Sequence, residues 1–211
     1  VLNKEADMSD VEFWYEFAST YSYPAALRAE EAAAPMGLQI RWRPFLLGPI
    51  FHDLGWSTSP FNLQPAKGAY MWRDLERTCA ALGVAFTRPD PFPQNGLLAA
   101  RMALALPDGD ARGAFSRAVY TRQFAHGADI SDPQTLAEVL EETGQDAGAV
   151  TAQAQTPPIK DALKAAPAQA QSYGIFGAPT WRTSDGELFW GNDRLEDALG
   201  WQWGLNGVQT L

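Results

Sequence analysis

Cysteine is nearly missing from this chain. With Cys79 alone there is no intrachain disulfide and no Cys-x-x-Cys pair, so dithiol redox chemistry is excluded and a reducing cytoplasm is the expected setting. Histidine is almost as scarce: His52 and His126 lack the spacing of a metal site, and no metal is expected. Basic residues are outnumbered, 16 Lys and Arg against 25 Asp and Glu. The resulting net charge of −9 works against binding along a phosphate backbone, so nucleic acid is not an expected partner. The acidic residues, including Glu141, Glu142, Asp108 and Asp110, read as solvated helix surface and not as a catalytic carboxylate pair. No uninterrupted apolar run approaches the roughly 18 residues needed to span a bilayer, so no membrane partner is expected. Residues 1–7 have neither the apolar core nor the small-residue cleavage pattern of a secretory signal, and Met8 is the expected natural start. A G-x-S-x-G elbow is absent as well, which leaves a serine-hydrolase reading without a base.

What the chain does have is apolar material. Its 211 residues are 46% hydrophobic and 19% charged. That is enough for one large domain, or a domain with a sizeable insertion, burying roughly 70% of its unfolded surface. The organising stretch is VEFWYEFASTYSYPAA, residues 11–26. Val11, Phe13, Tyr15 and Phe17 alternate with Glu12, Trp14 and Glu16, a period of two that predicts a strand. Ser19, Thr20 and Ser22 then supply capping oxygens, and Pro24 falls in the first turn of a helix expected over 24–35. Such a start presents unpaired backbone N–H groups and the positive end of the helix dipole, both of which stabilise an anion. The Ser19 hydroxyl can donate to the same anion. The residues alone also fit ordinary turn and capping roles.

Gly37 ends that helix, and 38–43 reads as a second strand closed by Pro44, most simply a parallel crossover unit. Residues 45–65, rich in Gly, Pro, Ser, Asn and Trp, read as a long irregular loop of the kind that carries function. Helices are predicted over 68–82, 96–106, 110–124, 132–142, 146–155 and 158–173, the last kinked or split at Pro167. Cys79 falls on the apolar face of the first of these and reads as an inert core thiol. A hairpin follows, 180–182 and 188–190 around Ser184-Asp185-Gly186, and a closing helix begins at about Arg194. Strands at both ends around a helical middle imply an α/β fold. The expected division is a split domain over 8–44 and 174–205 with a helical insertion over 45–173.

Three stretches, STYSYP at Ser19, GIFGAPT around Pro179 and FWGNDRLE over 189–196, together resemble the 2-hydroxychromene-2-carboxylate isomerases, which group with the kappa-class glutathione transferases. PFLLGPIF at 44–51 and YMWRDLERTCAALGV at 70–84 resemble the insertion of the same family, so the resemblance spans 11–201. It implies a thioredoxin-like domain with a large all-helical, DsbA-like insertion, and glutathione as the cofactor. Ser19-Thr20-Tyr21-Ser22 stands in the Cys-x-x-Cys frame of thioredoxin relatives without a thiol. A borrowed thiolate would sit at the helix start and accept a hydrogen bond from Ser19, which is then an activator and not a nucleophile.

By the same resemblance Pro179 takes the place of a cis-proline, and Ala178 before it would pair with the cysteinyl backbone of glutathione. Asn192, Asp193 and Arg194 would hold the γ-glutamyl group and Lys67 the glycine carboxylate. Without the resemblance Pro179 reads as a turn proline, 192–194 as a helix cap with a surface arginine, and Lys67 as a solvated lysine. The implied activity is isomerisation of a 2-hydroxybenzylidene pyruvate or its ring-closed chromene by reversible thiolate addition. The expected partner is a small aromatic electrophile, with a role in aromatic breakdown and a homodimer inherited from the family. Trp56 stands where the family often has Asn, which puts the substrate's identity in question. Trp56, Phe61 and Phe92 are candidates to line an aromatic pocket, and Arg43 or Asn62 to hold a substrate carboxylate. Two alternatives share the fold. One is a kappa-type transferase or peroxidase that consumes glutathione; the other is a non-catalytic module that binds peptide along the Pro179 edge.

Overall fold

Alternating aromatic and polar side chains need two different surfaces, and the strand β1 (Asp10–Tyr15) finds them at the centre of a four-stranded sheet. The computed structural model describes residues 10–208. On one side β1 pairs in parallel with β2 (Gln39–Pro44), Val11 opposite Ile40 and Phe13 opposite Trp42. On the other it pairs antiparallel with β3 (Thr180–Arg182), Phe13 opposite Trp181, and β4 (Leu188–Trp190) closes that edge antiparallel to β3. The strand order is β2-β1-β3-β4, so the two ends of the chain share one mixed α/β sheet.

The two faces of the sheet are packed differently. On the first, Phe13 stacks on Trp181 at 4.3 Å between ring centres and meets Trp42 edge-on at 5.1 Å, an aromatic row across three strands. The crossover helix α1 (Ser22–Ala33) covers this row with Ala25, Ala26, Ala29 and Ala33, small side chains that let the helix axis come close to bulky rings. A 3-10 turn over Ala34–Met36 ends the helix, and Gly37 with φ 66° lets the chain double back into β2. On the second face Trp14 packs with Phe45, Leu47, Ile50, Ala166, Ala170 and Ile175.

Between β2 and β3 the chain is helical. Residues 45–65 are not the continuous loop their composition predicts: they hold α2 (Leu47–Asp53) and the short α3 (Pro60–Leu63). The misleading residues are helix starts. Pro49 sits in the first turn of α2, where a missing N–H costs nothing, and Ser59 caps α3 by accepting from Phe61 N–H at 3.3 Å ahead of Pro60. There follow α4 (Pro65–Leu82), α5 (Leu97–Ala105), α6 (Asp110–Phe124), α7 (Pro133–Glu142), α8 (Ala147–Ala154) and α9 (Pro157–Ser172). Pro167 does not split α9, which runs through it; burial of Leu163, Ala166, Pro167 and Ala170 along one stripe offsets the lost N–H bond. The closing α10 (Leu195–Val208) follows a 3-10 turn over Asn192–Arg194. Among the described residues no helix is long and apolar enough to cross a membrane.

Arg112, in the first turn of α6, is the polar tie between sheet and helices. Its buried guanidinium donates to Ala103 O at 2.8 Å, Leu106 O at 2.9 Å and Trp42 O at 2.9 Å. Two of these are carbonyls at the end of α5, where a helix leaves acceptors short of donors, and the third belongs to β2. Burial lowers the Arg112 pKa, and Asp108 opposes that shift. Arg112→Met, which keeps the stem and removes the fork, is expected to cost roughly 3 kcal/mol in urea unfolding, since Leu106 O and Trp42 O lose the guanidinium and Ala103 O keeps only Leu106 N–H, at 3.2 Å. Arg73→Met, at an exposed pair with Glu76, is the control and leaves the midpoint in place.

Candidate active site

The candidate site forms where β1 ends. After Tyr15 the chain turns, Ser19 N–H donates to Glu16 O at 2.9 Å, and α1 begins at Ser22. Ser19 Oγ accepts from Ser22 N–H at 3.3 Å and donates to Ala178 O at 2.9 Å, joining residues 159 positions apart. The N–H groups of Thr20 and Tyr21 have no acceptor among the described residues. No acidic side chain stands in the first turn of α1, where it would offset the positive end of the helix dipole.

Ala178 lies just beyond the β1–β3 ladder, and the Ala178–Pro179 peptide is cis. Pro179 O accepts from Gly191 N–H at 3.0 Å, and Gly191 O accepts from Trp181 Nε1 at 3.0 Å. These two bonds hold the 192–194 turn beside the cis-proline. Asn192 is half-buried: its Oδ1 accepts from Arg28 Nε at 3.0 Å, and its carbonyl also accepts from Arg28, which pairs in turn with Glu196. Asp193 is exposed. Arg194 pairs with Asp197 at 2.9 Å and lies 3.9 Å from Asp193.

Lys67 sits exposed in the first turn of α4 and forms no ion pair among the described residues. Its helix is tied to the start of α1, because Tyr21 OH donates to Asp74 at 2.9 Å and the Tyr21 ring leans on Phe61 from α3. Trp56 is 38% exposed and packs on Phe51, with 5.6 Å between rings. Asn62 Nδ2 donates to Thr58 Oγ1 at 3.2 Å on the surface.

The remaining candidates are engaged elsewhere. Arg43 donates to Glu12 at 3.1 Å and to Asp108 at 2.8 Å, so its charge is already matched by two carboxylates. Phe92 meets Trp72 edge-on at 4.6 Å and packs against the main core. Cys79 is buried in α4, and desolvation pushes its thiol up to about 11, which keeps it protonated and unreactive. Among the described residues no cluster of three His, Cys, Asp or Glu stands ready to hold a metal ion. A cavity of about 420 Å³ lies apart from the site, lined by Glu30, Gln39, Arg41, Asp108 and Asp110 among others.

Two residues of the site escape pattern reading. Arg28, on α1, fastens Asn192, a contact across 164 positions that no local signal announces. Glu16 alternates like any strand residue, yet its Oε2 accepts from Leu47 N–H at 2.7 Å and its carbonyl accepts from Tyr120 OH at 2.7 Å. Desolvation raises the Glu16 carboxyl to about 7, against the lowering effect of the Leu47 bond. A partly covered carboxyl three positions before Ser19 was legible only as a polar residue in an aromatic stretch.

Comparison with known proteins adds to this geometry. Residues 10–200 match the DSBA-like thioredoxin domain family. The chain is 32% identical over 187 residues to 2-hydroxychromene-2-carboxylate isomerase of Sphingobium xenophagum, covering 88% of this chain and 94% of that one. It is 29% identical over 209 residues to human glutathione S-transferase kappa 1, covering 92% of each. A solved structure of 2-hydroxychromene-2-carboxylate isomerase superposes with a TM-score of 0.83 at 24% identity, covering 95% of this chain and 98% of that one. The sheet order, the cis-proline opposite the start of α1 and these matches together show that the chain belongs to the DSBA-like thioredoxin domain family, among the 2-hydroxychromene-2-carboxylate isomerases and kappa-class glutathione transferases.

Proposed function

We propose that this protein is a glutathione-dependent isomerase acting on a small aromatic electrophile of the 2-hydroxychromene-2-carboxylate or 2-hydroxybenzylidene pyruvate type. The observation that carries the reading is the Ser19 hydroxyl at the start of α1, hydrogen-bonded to the carbonyl that precedes a cis-proline. The donor set fits glutathione. Among the described residues Thr20 N–H and Tyr21 N–H are unpaired, Ala178 offers a strand edge outside the ladder, and Asp193 is an exposed carboxylate for an ammonium. When bound, glutathione supplies a thiolate able to add reversibly to a conjugated alkene, so that the former double bond rotates and the thiol is returned.

The protein's own residues prepare that thiolate. Ser19 Oγ accepts from Ser22 N–H, which polarises its O–H and makes it a better donor to an anion. By turning from Ala178 O towards sulfur, the hydroxyl frees that carbonyl to accept a backbone N–H from the ligand. One rotation thus serves two bonds. The unpaired N–H groups at the helix start favour the anion further and need no reorganisation as charge develops. Lys67, free of ion pairs among the described residues, is on the first turn of α4, the helix that Tyr21 ties to this turn through Asp74, and a glycine carboxylate is its expected partner. Trp56 and Phe51 offer an apolar surface on the α2 side. The similarity to a kappa-class transferase keeps one further reading in view, transfer of glutathione to an electrophile, which would use the same thiolate.

In a pH titration of thiolate absorbance near 240 nm, bound glutathione is expected to ionise well below the roughly 8.5 of a free thiol, and Ser19→Ala to raise the midpoint by about one unit. The same substitution lowers turnover on the order of a hundredfold while leaving the melting temperature close to wild type. Failure of millimolar glutathione to give any binding heat would defeat the reading. With a hydroxybenzylidene pyruvate, titration of free thiol before and after turnover separates the two activities: an isomerase leaves the thiol concentration unchanged, whereas a transferase depletes it in step with product.

A further inference from the structure

Tyr21 meets three helices at once. It is the third residue of the Ser19-Thr20-Tyr21-Ser22 turn and stands immediately before α1, with a backbone N–H that has no acceptor among the described residues. Its side chain leaves that turn for α3 and α4. The hydroxyl donates to one oxygen of Asp74 at 2.9 Å, and Arg77 donates to the other oxygen at 3.0 Å. The ring leans on Phe61 of α3, 6.4 Å between centres. Phe61 is itself seated on the first turn of α4: a Cβ at Gly68 would stand 2.4 Å from Phe61 O, so a glycine there admits α3 this closely. Desolvation, with Asp74 beside it, raises the Tyr21 pKa, so the phenol stays protonated and remains a donor.

The far end of this contact bears on Lys67. Lys67 and Asp74 are seven residues apart on α4, close to two full turns, so they share one face about 10 Å apart along the axis. Holding Asp74 against Tyr21 fixes how that face is turned relative to the start of α1, and the Gly68 contact fixes the first turn from the other side. A lysine's long stem is free to wander, so what the fold can fix for it is the place of its root.

We propose that the Tyr21–Asp74 hydrogen bond makes the site selective for the whole tripeptide, by setting the root of Lys67 within reach of a glycine carboxylate while the backbone of the same turn receives the sulfur. This inference rests on the Ser19 turn being a glutathione site with Lys67 as the glycine partner. Tyr21 and Asp74 are then positioning residues, and Tyr21 divides its work: its main chain faces the thiolate end and its side chain fixes the carboxylate end. Loss of the hydroxyl is felt only by a ligand that has a glycine.

The test compares glutathione with γ-glutamylcysteine, which keeps the thiol and lacks the glycine, by calorimetry, with thiolate absorbance followed against pH. Wild type is expected to prefer glutathione. Tyr21→Phe and Asp74→Ala are each expected to weaken glutathione roughly fivefold, leaving the affinity for γ-glutamylcysteine and the thiolate midpoint unchanged. Asp74→Asn, which keeps an acceptor for the phenol, is expected to bind glutathione close to wild type. Lys67→Ala is expected to abolish the preference, and adding Tyr21→Phe to it to cost nothing more. Equal weakening of both ligands by Tyr21→Phe, a raised thiolate midpoint in that variant, or a further fivefold loss in the Lys67→Ala background would overturn the proposal. Equal affinity of wild type for the two ligands would overturn it too while leaving the glutathione site standing. No binding heat with either ligand would remove the glutathione reading and this inference with it. The wild-type and Asp74 measurements decide the matter even if Tyr21→Phe folds poorly.

Discussion

The constraint on which the rest of this structure depends is that one strand, β1, pairs on both sides: in parallel with β2 from its own crossover unit, and antiparallel with β3 from the far end of the chain. Because β1 runs straight into the start of α1, anything that fixes β3 against β1 also fixes what stands over that helix start. The cis-proline segment is the piece so fixed. It meets Ser19 because Thr180 is already registered opposite Trp14, and two residues earlier the chain has no choice but to pass the turn. The aromatic row of Phe13, Trp42 and Trp181 makes this register expensive to change, since a one-residue slip would turn three fully buried rings to the other face.

For an acidic protein, the proposed binding of an acidic tripeptide would need local positive potential, and here it would not come from a basic patch. Arg28, Arg43 and Arg194 are all paired with carboxylates. What remains near α1 is the helix start itself, with unpaired N–H groups and no acidic side chain in its first turn, together with Lys67. Fixed dipoles are better suited than mobile cations to a small anion such as a thiolate, because they are already oriented before charge appears. The overall charge of −9 is compatible with anion binding at such a place, because the attraction would come from backbone N–H groups and not from net charge.

Much of this was legible in the sequence because its causes are local. The alternation at 11–17, the capping residues before α1 and the Gly and Pro punctuation of the last hairpin each act within a few residues, so the α/β class and most helices follow from them. The errors are also local in origin. Pro49 and Ser59-Pro60 read as loop signals yet open short helices, and Pro167 reads as a break yet its burial on a packed stripe lets α9 continue. At the site, Ser19 and Ala178 could be matched as motifs, but the occupations of Arg43 by Asp108, of Asn192 by Arg28 and of Phe92 by Trp72 depend on distant partners. Glu16 was hidden for another reason. A polar residue in an alternating stretch normally faces water, and only the arrival of α2, whose Leu47 N–H bonds its carboxyl, partly covers it.

Two glycines show why the two C-terminal motifs occur together. A side chain at Gly177 would stand 2.6 Å from Trp190 Nε1, so the missing Cβ is what lets the indole of β4 lie against the segment carrying Ala178 and Pro179. Gly191 has φ 124°, a conformation L side chains rarely adopt, and its N–H reaches Pro179 O while its O receives Trp181 Nε1. The first glycine admits the edge strand, and the second turns it from strand to the 192–194 corner. A Cβ at Gly177 would displace the Trp190 indole, and one at Gly191 would strain the turn that holds Pro179 O. The GIFGAPT and FWGNDRLE stretches are therefore one mechanical unit, and Ser19 is coupled to that unit through a single carbonyl, that of Ala178.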